Sequence, residues 1–100
     1  MNLRDIQREA WDNKLAKGFN TINVPLEFCL LNEEIGEAFS AWRKQSNDFG
    51  DELADVLIFL VSIADMTGVD LQDAVKAKLA VNAGRTYRTL PNGTPVKDGV

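Results

Sequence analysis

The 100-residue chain carries 15 acidic and 11 basic residues, no histidine and one cysteine, for a net charge of −4. That length is one domain, and the acidic balance disfavours a nucleic-acid backbone as partner. Without histidine, and with a single thiol, histidine- and thiolate-held zinc and Glu-x-x-His di-iron sites are excluded, so any metal is held by oxygen, which favours magnesium, manganese or calcium.

Asn2 is a good N-cap with Asp5 three residues on, and Leu3, Ile6, Ala10, Trp11 and Leu15 then recur at helical spacing until Gly18. "FNTIN" connects to a second helix that opens near Pro25 and runs to about Lys44. The lone Cys29, in "EFCLLN", is expected in the core; with no disulfide framework and no signal-peptide pattern, the expected setting is cytoplasmic. "QSND" forms a short link to a third helix, from about Asp48 to Thr67, closed by Gly68. Its greasiest run, Leu53 to Ala64, contains Asp55 and falls short of the ~20 apolar residues a membrane span needs. Asp70, with Asp73 three residues on, caps a fourth helix ending near Gly84 or a few residues beyond. The tail "TLPNGTPVKDGV" carries turn signals and room for a hairpin at most. The expected division is a helical domain over 1–88 and a tail over 89–100.

The fold class is therefore all-α. Leu53, Val56, Leu57, Ile58, Phe59, Leu60, Val61 and Ile63 cover nearly the whole circumference of the third helix. A helix apolar all round is surrounded by protein, and four short helices can hardly surround it. The expectation is a helical bundle completed by homodimerisation.

Carboxylates interrupt the apolar stripes of the two central helices. At about 100° per residue, Glu34 shares a broad face with Leu30, Leu31, Ala38, Ala41 and Trp42, with Glu37 at its edge and Glu33 pointing away. On the third helix Glu52 shares a face with Val56, Phe59 and Ile63, and Asp55 lies beside it one turn on. Each pair is spaced i, i+3 and so points one way. The short link makes the helices antiparallel. The midpoint between Glu37 and Glu52 coincides with that between Glu34 and Asp55 and falls at the link, so the pairs meet face to face. Four carboxylates converging in an apolar setting repel one another and resist desolvation. A divalent cation, with magnesium the natural choice, is the expected counter-charge.

On the fourth helix Leu71, Ala74 and Val75 mark the expected buried face, which continues into Lys78, Asn82 and Arg85. Two cations and an amide in that line suit the phosphates of a metal-bound ligand; they also suit a helix C-terminus, where cations are favoured and snorkel to water. For stacking a nucleobase the aromatic choices are Trp11, Phe19 and Trp42. Trp11 ranks first because its neighbourhood, "REAWDNK", is polar.

"NEEIGEAFSAW" followed by "GDELADVLIFL" resembles the Glu-Glu-x-x-Glu and Glu-x-x-Asp signature of the MazG-like nucleoside triphosphate pyrophosphohydrolases. "VDLQDAVKAKLAVNAGRTY" extends the resemblance, which covers about Trp11 to Tyr87. It implies an all-α fold, obligate dimers often doubled into tetramers, and magnesium, with manganese as a possible substitute. Its metal ligands and catalytic carboxylates map onto Glu34, Glu37, Glu52 and Asp55, and the first Glu of the signature onto Glu33. The implied reaction cleaves a nucleoside triphosphate between the α and β phosphates, giving a monophosphate and pyrophosphate, as in removal of non-standard or surplus nucleotides. Two other readings stand beside it: a same-superfamily hydrolase acting on dUTP or phosphoribosyl-ATP, and a non-catalytic dimer that senses metal or nucleotide.

Overall fold

The computed structural model describes residues 1–98. Four helices follow in order, α1 (Leu3–Lys17), α2 (Val24–Arg43), α3 (Phe49–Met66) and α4 (Leu71–Ala83), and then two short strands, β1 (Tyr87–Thr89) and β2 (Pro95–Lys97). The boundaries have local causes. Asn2 and Asp5 form a reciprocal capping box at the start of α1, and Gly18 ends it in the left-handed conformation at φ 69°. Asn23 caps α2 through Leu26 N–H, with Pro25 in the first turn. Asp70 caps α4 through Asp73 N–H.

The core is small: Ala38 and Ala41 of α2 against Val61, Ile63 and Ala64 of α3. α2 packs chiefly on α3, α1 also packs on α3, and α4 packs on α1. The α1–α4 contact is largely polar. Arg4 pairs with Asp70 and Asp73 at 2.8 and 2.9 Å, and Gln7, itself buried, accepts from Leu71 N–H and donates to Val69 O. The strands form an antiparallel hairpin in which Tyr87 faces Lys97 and Thr89 faces Pro95. The expected boundary after residue 88 thus falls inside β1, and the last two tail residues lie outside the described ones.

The radius of gyration is 16.6 Å, against about 13 Å for a compact domain of this size. Two expectations change accordingly, and an aromatic face is left bare. No residue of α4 is buried, so Leu71, Ala74 and Val75 do not form a buried face within one chain. Cys29 is exposed rather than in the core. Trp42 is exposed and stacks on Phe39 with ring centroids 6.1 Å apart. The physical reason is common to all three: the apolar faces they belong to have no second layer in a single chain. Among the described residues, no helix is long and apolar enough to cross a membrane.

Candidate active site

α2 and α3 present their carboxylates to each other. One oxygen from each of Glu34, Glu37 and Glu52 lies within 4.8 Å of the other two. Glu34 and Glu52 are half-buried, and Oε2 of each is shielded from solvent without a hydrogen-bond partner. Desolvation pushes the Glu34 carboxyl above its ordinary value, and the charges of Glu37, Asp55 and Glu52 push it further. Glu52 is raised in the same way, by desolvation first and then by Glu37, Asp48, Asp55 and Asp51. Two shielded, unpartnered carboxylate oxygens amid like charges are the donor set a hard divalent cation takes.

Asp55 stands slightly apart. It is exposed and outside the three-oxygen group, although its charge acts on both Glu34 and Glu52. It lines a hollow of about 270 Å³ with Asn13, Lys14, Phe19, Phe59 and Ser62. On the side of the link, Glu37 and Glu52 line a shallower hollow of about 230 Å³ with Ser40, Lys44 and Asp48. Glu33 is exposed, as its place on the helical wheel predicts.

Other expected site residues lie elsewhere in the chain. Lys78 and Asn82 are exposed and Arg85 is half-buried, with Arg85 Nη1 donating to Asn82 Oδ1 at 3.4 Å. Because α4 packs on α1, none of the three lines the hollows beside the carboxylates. Trp11 is half-buried in a separate cleft of about 400 Å³ with Arg4, Arg8, Asp65 and Val69. That cleft shares no residue with the hollows at Asp55 or Glu37.

Sequence reasoning passed over two features. Lys44, the C-cap residue of α2, lines the hollow at Glu37 and Glu52. Lys14 Nζ and Glu27 Oε1 form an ion pair at 2.9 Å, with side chains 8 % and 2 % exposed. Asn20 Nδ2 also donates to Glu27 Oε1, at 3.2 Å. The available signal was a polar line, Gln7 and Lys14, on the α1 face that carries Ala10.

Similarity to known proteins bears on this geometry. A curated dATP/dGTP diphosphohydrolase of Cyanophage S-2L is 41% identical over 63 residues, which is 63% of this chain and 57% of that protein. A dATP/dGTP diphosphohydrolase of Salmonella phage PMBT28 is 36% identical over 67 residues, 60% of this chain and 23% of that protein. The chain thus spans little more than half of one curated relative and about a quarter of the other. Among solved structures, the Cyanophage S-2L MazG-like pyrophosphohydrolase, bound to dGDP and three catalytic Mn²⁺ ions per active site, superposes with a TM-score of 0.72. The two are 30% identical, with 99% of each chain covered. The MazG nucleotide pyrophosphohydrolase domain matches residues 28–85, which contain all four carboxylates. That match covers more than half of the chain, and the chain belongs to the MazG family of nucleotide pyrophosphohydrolase domains.

Proposed function

We propose that this chain is a divalent-metal-dependent nucleoside triphosphate pyrophosphohydrolase, converting a (d)NTP to the monophosphate and pyrophosphate in the service of nucleotide-pool house-cleaning. The observation that carries the reading is the convergence of Glu34, Glu37 and Glu52 within 4.8 Å, with two shielded oxygens lacking partners. Glu34, Glu37, Glu52 and Asp55 are the residues that hold the metal. Magnesium is the expected ion and manganese a working substitute; the structural relative carries Mn²⁺. When bound, the metal neutralises the triphosphate and makes water a better nucleophile near neutral pH.

The chain's own residues do the rest. The carboxylates fix where the triphosphate lies, and Asp55, between the cluster and the adjoining hollow, marks where phosphate gives way to nucleoside. In the reaction the water oxygen bonds to the α-phosphorus and the bond from that phosphorus to the bridging oxygen breaks, releasing pyrophosphate. Charge on the departing phosphates needs cations. Lys44 stands at the Glu37 side. Lys78, Asn82 and Arg85 remain the phosphate-binding set, supplied by α4 of a second copy, because α4 does not reach the cluster within its own chain. A homodimer also covers the apolar faces of α2 and α3, and a tetramer of two dimers is compatible with it. The setting we assign is cytoplasmic.

The test is a pyrophosphate-release screen of canonical and modified nucleoside triphosphates with Mg²⁺ or Mn²⁺. Turnover that yields monophosphate and pyrophosphate is the expected result. Nucleotide binding without pyrophosphate release would overturn the reading, as would full activity in excess chelator.

A further inference from the structure

We propose that the outer edge of β1 is a docking surface for the same edge of a second copy, so that two hairpins join into one four-stranded antiparallel sheet. The surface shares no residue with the acidic cluster or with the apolar stripes of α2 and α3, and it does not depend on the hydrolase reading. The hairpin stands off the helices, its strands packing chiefly on each other. Every residue of β1 is exposed, Tyr87 by 48 %. A two-stranded hairpin is marginal in water by itself, and further strands give a sheet independent stability.

The ladder decides which edge is open. Asp98 N–H donates to Thr86 O at 2.9 Å and Leu90 N–H to Thr94 O at 2.8 Å. Between them the register sets Tyr87 against Lys97, Arg88 against Val96 and Thr89 against Pro95. Bonded and non-bonded pairs alternate in an antiparallel ladder. Arg88 and Val96 therefore bond inward, while Tyr87 and Thr89 turn their N–H and C=O groups outward. On β2 the outward positions are Pro95 and Lys97. Pro95 has no N–H to give, which blunts that edge. Only the β1 edge offers a donor and an acceptor at both outward positions.

A two-fold axis makes the contact isologous and the strands antiparallel. The outward groups allow registers centred on residue 87, 88 or 89. Centring on 89 sets Tyr87 against Pro91, which cannot donate. Centring on 88 sets Arg88 against the Arg88 of the second copy in a closely spaced pair, where like charges repel. Centring on 87 faces Tyr87 with its own counterpart, which exchanges backbone bonds with it, and brings Thr89 N–H opposite the Arg85 C=O of the second copy. The tyrosines then meet as an aromatic pair, and Arg88 lies opposite Thr86, which carries no charge. A few edge bonds and one ring pair barely offset the cost of association. The contact is therefore reversible and fills at sub-millimolar rather than micromolar concentration.

The experiment is oxidative cross-linking of the full chain at sub-millimolar concentration. Cys29, which is exposed, is first replaced by Cys29→Ser, and Tyr87→Cys or Arg88→Cys is then added. Facing residues of a hydrogen-bonded pair have Cα atoms about 5.5 Å apart, within the span of a disulfide. Arg88 is two residues out of register with its counterpart, beyond the ~7 Å limit. Tyr87→Cys should therefore join two chains and Arg88→Cys should not. Sedimentation is the second measurement. From low micromolar to sub-millimolar concentration the average mass of the native chain should rise toward twice its starting value. Thr89→Pro removes an outward N–H without touching the inner ladder and should abolish that rise; Lys97→Pro, on the blunted edge, should keep it. No cross-link at Tyr87, equal cross-linking at Arg88, or a rise that Thr89→Pro leaves intact overturns the proposal. Should Thr89→Pro unfold the hairpin, the two cysteine variants decide. Cross-linking needs no turnover, so its failure would sink this proposal alone, and absence of pyrophosphate release would sink the hydrolase reading alone.

Discussion

Introducing a charge on the apolar stripe of α3, as in Leu57→Asp, should abolish the folded species rather than yield a soluble monomer. Two stripes lie bare in one chain: Phe28, Ile35, Phe39 and Trp42 on α2, and Leu53, Leu57 and Leu60 on α3, each between 37 and 60 % exposed. Full burial of such a side chain contributes about 1.5–3 kcal/mol, so covering the exposed half contributes roughly 0.7–1.5 kcal/mol. Seven of them on each of two copies give about 10–20 kcal/mol, against an association cost of about 4–15 kcal/mol. That balance predicts a dimer, in which Leu57→Asp would strike twice, once per copy, while placing a carboxylate where no partner is available. Sedimentation at low micromolar concentration should give twice the 11.1 kDa of one chain for the native protein, with a melting temperature that rises with protein concentration. A compact, active species of one chain's mass, from either protein, would refute the reasoning.

The remaining predictions concern the carboxylates. Saturating Mg²⁺ or Mn²⁺, at about 100 times its dissociation constant, should add ~2.7 kcal/mol, or about 10–20 °C in the melting temperature of a domain this size; thermal melts with and without chelator measure it, and no difference counts against a metal site. Glu34→Gln, Glu37→Gln, Glu52→Gln and Asp55→Asn should each lower kcat/KM by more than the roughly 10–100-fold of an outer-shell change. Glu33→Gln should be milder, and steady-state kinetics showing it to be the worst of the five would reverse the assignment. Stability without metal should follow the raised carboxyls of Glu34 and Glu52. The folded chain binds more protons than the unfolded one above the ordinary glutamate value of 4.5, so stability falls as pH rises through that window and stays lower above it. Asp70 works in the opposite direction: Arg4 lowers its carboxyl, and that stabilisation is lost only as pH falls below the ordinary aspartate range. Chelated protein should therefore melt highest near pH 5 and lower near pH 8, and added Mg²⁺ should remove the decline; melts that rise steadily to pH 8 in chelator would contradict this.

The convergence of the carboxylates was legible because its information is local. Glu34, Glu37 and Glu52 sit on two helices joined by a short link, and period and register alone bring them together. The hairpin β1–β2 announced itself through its turn residues, with Gly93 at φ 89° where the chain reverses. What escaped depends on contacts that periodicity does not encode. Val75 and Leu79 on α4, like Phe39 and Trp42 on α2, are apolar in sequence and exposed in one chain; an apolar stripe says that something covers it, not which molecule does. Cys29 therefore read as a core thiol. The Lys14–Glu27 pair escaped for another reason. Glu27 occupies the first turn of α2, where a carboxylate is favoured by the helix dipole alone, and nothing in its neighbours Leu26 and Phe28 points across to α1. Asp55 is intermediate: its register was legible, while its place at the edge of the three-oxygen group follows from the shape of the hollow beside α1.

The brevity of the link between α2 and α3 also sets an order of events in time. Only residues 44–48 separate the two helices, and Gln45 turns through φ 54° to reverse the chain. Closing so short a loop costs little entropy and takes well under the time of a collapse, so contacts between α2 and α3 are the cheapest long contacts the chain can form. The hairpin that forms first is therefore also the one that drives Glu34, Glu37 and Glu52 together. Electrostatic repulsion meets the chain at its nucleus rather than at its finish, and a divalent cation should accelerate folding as well as resist unfolding. α4, joined to α1 through Arg4 and Gln7, should dock last. Rapid mixing out of denaturant should show a fast phase whose rate rises with Mg²⁺ and ignores protein concentration. A slower phase should follow, quickening as the protein is concentrated, when two chains meet.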